Sequence, residues 1–316
     1  MSDKPLILYH YPLSPFSEKM RAMLGYAGIP WCSVQVREMP PRPLLQRLAG
    51  GYRKIPVAQI GADVFCDTRC IATEIARRAR RPRLALEHCS AAEQAFVART
   101  DLEVFLACTL SANTLAMGQR VLQSMSLPDL ARFAWDRAQM GWKAAGSGAA
   151  PLNRRPRQLV REHLADLAQR LERQPFLFGR QPSHADFAAF HGLWFLHVLA
   201  RSALLKEQPR VLEWLERLRG FGHGSLEPMS EADALAWAAG QRPRRLAAGS
   251  AAAPEVGRPA AIEPADYAQE RSTGRLVAAT ATRWVLAREE EGLGRLHVHF
   301  PRQGYRLLQG EELEDA

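Results

Sequence analysis

Apolar positions along the first eighty residues switch between two periods. Leu6-Ile7-Leu8-Tyr9 is an unbroken apolar run, the pattern of a buried strand. Pro12 to Pro15 interrupt it. Met20, Met23, Leu24 and Ala27 then recur at helical spacing, and Gly28-Ile29-Pro30 supplies a helix stop. Trp31 to Val36 predicts a second strand, and Leu44, Leu45 and Leu48 a short helix closed by Gly50-Gly51. Residues 56–60 and 64–66 flank Gly61-Ala62-Asp63 and predict a hairpin. Thr68 to Ala79 returns to helical spacing, with Ile71 and Ile75 one turn apart. The order β-α-β-α-β-β-α predicts a mixed sheet with helices packed on it.

The pattern is helical from Ala91 to Ala239. Val160, Leu164, Leu167 and Leu171 share one face, as do Val211, Trp214, Leu215 and Leu218. Gly146 to Pro156 predicts a loop between helices. Gly240 to Ala261, in which 17 of 22 residues are Ala, Gly, Pro or Arg, has no apolar period and predicts a flexible linker. Beyond it the period falls to two. Leu296, Val298 and Phe300 alternate with Arg295, His297 and His299, a half-buried strand, and Leu276-Val277 and Trp284-Val285-Leu286 predict two more. The chain thus divides into an α/β segment (1–83), an all-α segment (90–239), a linker (240–261) and a small barrel-like β-module (262–316). The fold class is α+β.

Composition narrows the function classes. With 47% hydrophobic and 24% charged residues in a chain of 316, wholesale disorder is excluded. The apolar stretch Phe187–Ala200, broken by His191 and His197, is too short to span a bilayer. The N-terminus carries no secretory pattern, and the five cysteines form no C-x-x-C pair, so a reducing cytoplasm is the expected compartment. The net charge of +9 raises nucleic-acid binding through Arg77, Arg78, Arg80, Arg81 and Arg83. No basic run interleaves with aromatics, so a solvated face is the stronger reading of that cluster. His184, His191 and His197 are spaced too widely for one metal site, and no metal is expected.

Three local patterns carry chemistry. Tyr11-Pro12-Leu13-Ser14-Pro15-Phe16-Ser17 follows the first strand at a helix start. Lys54-Ile55-Pro56-Val57 is followed by Asp67-Thr68. Phe176-Leu177-Phe178-Gly179 precedes Pro182-Ser183-His184-Ala185-Asp186-Phe187 in the helical half. Their order and spacing resemble the glutathione S-transferase superfamily over roughly residues 4–225. The resemblance implies a thioredoxin-like domain followed by an all-helical domain, a homodimer, and glutathione as co-substrate for a hydrophobic electrophile. It implies that Pro56 follows a cis bond and that the turn of Ile55-Pro56-Val57 exposes the N–H and C=O of Val57 to pair with the ligand's peptide backbone. Asp67 and Thr68, where a strand meets a helix, would grip the γ-glutamyl end, with Thr68 capping the helix. Arg42 or Lys54 would take the glycyl carboxylate. Phe16 joins the same set through its motif.

Ser14 would activate the thiol. Lowering a thiol pKa by two units needs about 2.7 kcal/mol of preference for the anion. A hydrogen bond to a charged group supplies about 1.5–3 kcal/mol. Ser17, Tyr9 and Tyr11 are rival hydroxyls. A serine cannot exchange disulfides, so conjugation rather than oxidoreduction follows. Ser183 to Asp186 reads as a capping-box variant whose role is folding. The resemblance sets the electrophile between the two domains, where Phe105, Trp135, Trp142 and Trp194 are candidate walls. The competing reading is a non-catalytic binding module that acts through the C-terminal strands.

Overall fold

The computed structural model describes residues 4–124, 132, 155–266 and 269–314. These fall into two units. One comprises residues up to 14 together with 30–71 and 225–316, and the other 15–29 with 72–224.

The first unit is built on the expected succession. β1 (Leu6–His10) pairs parallel with β2 (Trp31–Gln35) and antiparallel with β3 (Val57–Ile60). β3 turns through Gly61-Ala62 into β4 (Asp63–Cys66). Of the helices along this stretch of sequence, α1 (Pro15–Ala27) belongs to the second unit, α2 (Pro43–Ala49) to the first, and α3 (Thr68–Ala79) starts in the first and continues into the second. Gly50 ends α2 at a φ of 71°, a left-handed conformation that favours glycine, and its N–H bonds Gln46 O at 2.8 Å.

The C-terminal strands correct the expected barrel. β5 (Leu226–Pro228) adds to β2. β6 (Pro259–Pro264), β7 (Ser272–Ala279), β8 (Arg283–Glu290), β9 (Gly294–Pro301) and β10 (Tyr305–Leu308) are antiparallel neighbours, and β9 then pairs parallel with β4. The result is one sheet in the order β10-β6-β7-β8-β9-β4-β3-β1-β2-β5. β4 would otherwise be an edge with unpaired main-chain groups, and β9 satisfies them. A single apolar core runs through both parts: Val64, Leu45 and Tyr52 share it with Leu286, Leu296, Val298 and Phe300. The residues after 258 are therefore a strand-rich module built into the sheet of this unit.

The segment expected as a flexible linker is irregular but anchored. Asp63 Oδ2 accepts the Arg244 N–H at 2.9 Å, Ser250 O accepts from Ala279 N–H, and Gly257 N–H donates to Leu276 O. Its composition excludes apolar periodicity, but main-chain bonds to β4 and β7 need none.

The second unit is helical: α1, α4 (Ala91–Arg99), α5 (Phe105–Ser111), α6 (Leu115–Ser124), α7 (Pro156–Arg170), α8 (His184–Trp194) and α9 (Pro209–Arg219). A π-helical turn, Thr100–Val104, joins α4 to α5. Buried Lys19 on α1 donates to both oxygens of Asp101 in that turn, at 3.0 Å each. The helical pattern of the sequence is interrupted by β5, after which α10 (Glu231–Ala239) packs in the first unit.

α8 starts as the capping pattern predicts. Asp186 is fully buried. Its Oδ2 accepts from the Ser183 N–H at 2.9 Å, and its Oδ1 from the Leu177 N–H at 2.9 Å and Trp214 Nε1 at 3.0 Å. Burial pushes its carboxyl up, and these bonds pull it back only in part. Asp186→Ala strands three buried donors at about 1–3 kcal/mol each. The expected result is about 3–5 kcal/mol less stability in a denaturant titration. A loss below 1 kcal/mol would refute this role.

Candidate active site

Strand register brings the expected motifs to one end of the sheet. Tyr9 of β1 stands opposite Val57 of β3, and Val57 opposite Cys66 of β4. The chain leaving β1 toward Ser14, the chain entering β3 through Ile55-Pro56, and the chain leaving β4 into Asp67-Thr68 therefore emerge together. The Ile55–Pro56 bond is cis. Val57 itself lies in the ladder between two strands, so it is Ile55, just outside β3, whose main chain is not committed to the sheet. That corrects the expectation for Val57, since a residue flanked on both sides directs its N–H and C=O to neighbouring strands.

Asp67 has a φ of 72°, in the left-handed region that few non-glycine residues occupy. Its Oδ1 accepts the Arg69 N–H at 2.9 Å, so Asp67, not Thr68, caps α3. Thr68 is the first residue of the helix and is 6% exposed, and among the described residues its N–H and hydroxyl make no hydrogen bond. This leaves donors at the positive end of a twelve-residue helix, where an anion is favoured.

The expected cations are engaged elsewhere. Arg42 is buried and donates to three carbonyls: Nε to Arg37 O at 2.7 Å, Nη1 to Arg53 O at 2.8 Å and Nη2 to Glu38 O at 2.6 Å. Burial pulls its guanidinium down to about 10. It ties the loop before α2 together, which corrects its assignment to a ligand carboxylate. Lys54 pairs with Asp266 at 2.5 Å, and neighbouring Arg53 with Glu270 at 2.9 Å.

The hydroxyl candidates also separate. Tyr9 is buried and donates to Gln59 Oε1 at 2.6 Å; burial and Glu231 push its phenol up. It belongs to the core. Ser14 is 2% exposed, its N–H bonds Tyr11 O at 3.2 Å, and it directly precedes α1. Ser17 is fully buried on α1. Tyr11 is half-buried. Phe16 lies in the helical unit, its ring 4.7 Å from Phe105 and 4.6 Å from His191. It packs in an aromatic cluster there, which corrects its placement among the ligand contacts. Of the candidate electrophile walls, Phe105 joins that cluster and Trp194 is buried, while Trp135 and Trp142 lie outside the described residues, as does the predicted loop up to residue 154.

No local pattern marks the residues that complete this region. Tyr305 of β10 donates to Asp67 Oδ2 at 3.1 Å, Tyr52 Oη lies 3.1 Å from Tyr305 Oη, and Arg69 Nη1 donates to Gln303 O at 2.7 Å. More than two hundred residues separate Tyr305 from Tyr52 and Asp67, and only the tertiary pairing brings them together.

The five cysteines are free and buried; burial pushes the Cys89 thiol up to about 11 and Cys108 up to about 12. His184 Nδ1 bonds Leu84 O at 2.9 Å, and His191 stacks on Phe105. No group of metal-ligating side chains forms among the described residues. Of the arginine cluster, Arg77 pairs with Glu74, Arg83 with Glu93, and Arg81 lies over the Tyr26 ring at 4.2 Å. Among the described residues no helix is long and apolar enough to cross a membrane.

This is the architecture of the glutathione S-transferases, and the chain belongs to that superfamily. Family models for the glutathione S-transferase N-terminal domain and C-terminal domain match residues 8–83 and 151–217. FtsZ-localized protein A from Caulobacter vibrioides is 30% identical over 193 residues, which cover 58% of this chain and 73% of that protein. The crystal structure of a GST-like protein from Pseudomonas syringae is 32% identical, with a TM-score of 0.75, and the match covers 97% of this chain and 100% of that one. A glutathione S-transferase from Rhodospirillum rubrum, at 20% identity and a TM-score of 0.50, shares the fold over 68% of this chain and 87% of its own.

Proposed function

We propose that this protein binds glutathione and directs its thiol onto a hydrophobic electrophile, as a cytoplasmic homodimer. One observation carries the reading: the hairpin β3–β4 sets Ile55, where the chain enters β3, beside the left-handed Asp67 and the helix-starting Thr68. In this reading the main chain of Ile55 pairs with the cysteinyl backbone. The α3 N-terminus and the Thr68 hydroxyl hold the γ-glutamyl carboxylate, and Asp67 takes the adjacent ammonium. Lys54 is the cation available to the glycyl carboxylate, in exchange for its pairing with Asp266. Ser14 acts on the thiol. Its hydroxyl bond together with the start of α1 matches the preference of about 2.7 kcal/mol that ionisation at neutral pH requires.

Calorimetric titration tests this. Wild type is expected to bind glutathione, with a gain of about 2.7 kcal/mol in stability at a hundredfold excess over Kd. Thr68→Ala should weaken binding about tenfold. Ser14→Ala should retain binding and lose at least tenfold in turnover of an activated chlorinated aromatic. No binding at millimolar glutathione would overturn the reading.

A second reading comes from the relative named FtsZ-localized protein A. Here the chain acts by associating with FtsZ. Co-pelleting with assembled FtsZ, undiminished in Ser14→Ala, would favour it, and an absence of co-pelleting would remove it.

A further inference from the structure

The carboxylate that this reading gives to the ligand's ammonium is held from both sides. Asp67 Oδ1 accepts from the Arg69 N–H at 2.9 Å, and Oδ2 from the Tyr305 hydroxyl at 3.1 Å. Each phenol has one proton. Since that of Tyr305 goes to the carboxylate, Tyr52, 3.1 Å away, donates to the Tyr305 oxygen. The relay Tyr52–Tyr305–Asp67 is directional and runs from the core outward: Tyr52 is 3% exposed, Tyr305 8%, and Asp67 half-buried. Burial and the neighbouring Asp67 push the Tyr305 phenol up, so it keeps its proton and remains a donor. A carboxylate offers about four acceptor sites, and these two bonds leave capacity for a cation.

Tyr305 itself is fixed. Its ring packs 5.9 Å from Phe300 and 6.4 Å from Tyr52, and β10 pairs with β6. The approach of the C-terminal strands is equally constrained at Gly51, where a Cβ would fall 2.0 Å from Arg271 O.

We propose that Tyr305, backed by Tyr52, is a positioning residue that fixes the Asp67 carboxylate for the α-ammonium of glutathione, so that the C-terminal strands form part of the ligand site. The proposal rests on the glutathione reading above. It assigns a task to a part of the chain for which the superfamily motifs give none.

The experiment compares glutathione with its des-amino analogue, N-glutaryl-cysteinylglycine, by calorimetry on wild type, Tyr305→Phe and Tyr52→Phe. Wild type should favour glutathione by about ten- to a hundredfold, as expected for a charged hydrogen bond. Tyr305→Phe should reduce that preference to about threefold or less and leave the analogue's Kd unchanged. Tyr52→Phe, which removes only the inner proton of the relay, should fall between. An unreduced preference in Tyr305→Phe overturns the proposal while the glutathione reading stands. Equal weakening of both ligands also overturns it, because a merely structural role moves both together. If wild type binds neither ligand, the glutathione reading fails and this proposal with it.

Discussion

A chain ending at residue 258 is expected not to fold. The strands it lacks are built into the sheet that carries the candidate site. Their removal leaves Asp63, Val64 and Phe65 of β4 without the register partners His297, Val298 and His299. Phe65 loses the His299 ring stacked 4.5 Å away, and Tyr52 loses Phe300 and Tyr305. Uncovering a large apolar side chain costs about 1.5–3 kcal/mol, and several are uncovered at once. Asp63, 1% exposed, also loses the His299 Nε2 at 2.9 Å that holds its carboxyl below the usual range against the effect of burial. Arg244 stays on Asp63, so this loss is one hydrogen bond to a charged group, about 1.5–3 kcal/mol more. Together these losses match the whole stability of a domain, about 5–15 kcal/mol. Expression of residues 1–258 should give insoluble protein or a chain without a cooperative melt. A soluble fragment melting within a few degrees of the full chain would show that the C-terminal strands are dispensable.

That expectation could not be read from the sequence, and the reason is physical. The alternation of Leu296, Val298 and Phe300 with His297 and His299 predicts a strand, and the strand is there. Periodicity reports which residues share a face, not which edge the strand joins. It also predicts that the histidines face water. They are buried, at 9% and 5% exposure, because β9 lies between β8 and β4. The site divides in the same way. The hairpin and the Ser183–Asp186 cap are set by contacts within about a dozen residues, and they stand where the sequence places them. Position within a motif points Arg42 and Phe16 at the ligand, while their partners, the carbonyls of residues 37, 38 and 53 and the ring of Phe105, depend on the folded path of the chain. Tyr305 is the extreme case, since its partner Asp67 is 238 residues away.

The second large effect expected is a loss of stability on mild acidification. Burial holds His163, His191 and His299 down to about 4, and the nearby carboxylates, Asp166, Asp101 and Asp63, do not restore them. In the unfolded chain each titrates near 6.5. Between pH 6.5 and 4 the unfolded state therefore binds more protons, and stability falls as pH drops through that window. By pH 5 each histidine accounts for about 2 kcal/mol, so the helical unit, which holds two of them, loses about 4 kcal/mol. His197 and His297 are lowered as well and add in the same direction. Asp186 and Glu231, whose carboxyls burial pushes up, act with the opposite sign and are outnumbered. The lowered carboxylates, Glu18 and Asp101 among them, contribute only once pH falls below their unfolded values near 4. Acid sensitivity should therefore begin near pH 6.5, where carboxylates are still silent. For a unit of this size the melting temperature should fall by roughly 8–16 °C between pH 7.5 and 5. Imidazole proton resonances should show that these three histidines do not titrate above pH 5 in the folded protein. A melting temperature that stays flat to pH 5, or a titration of these rings near 6.5, would contradict the assignment.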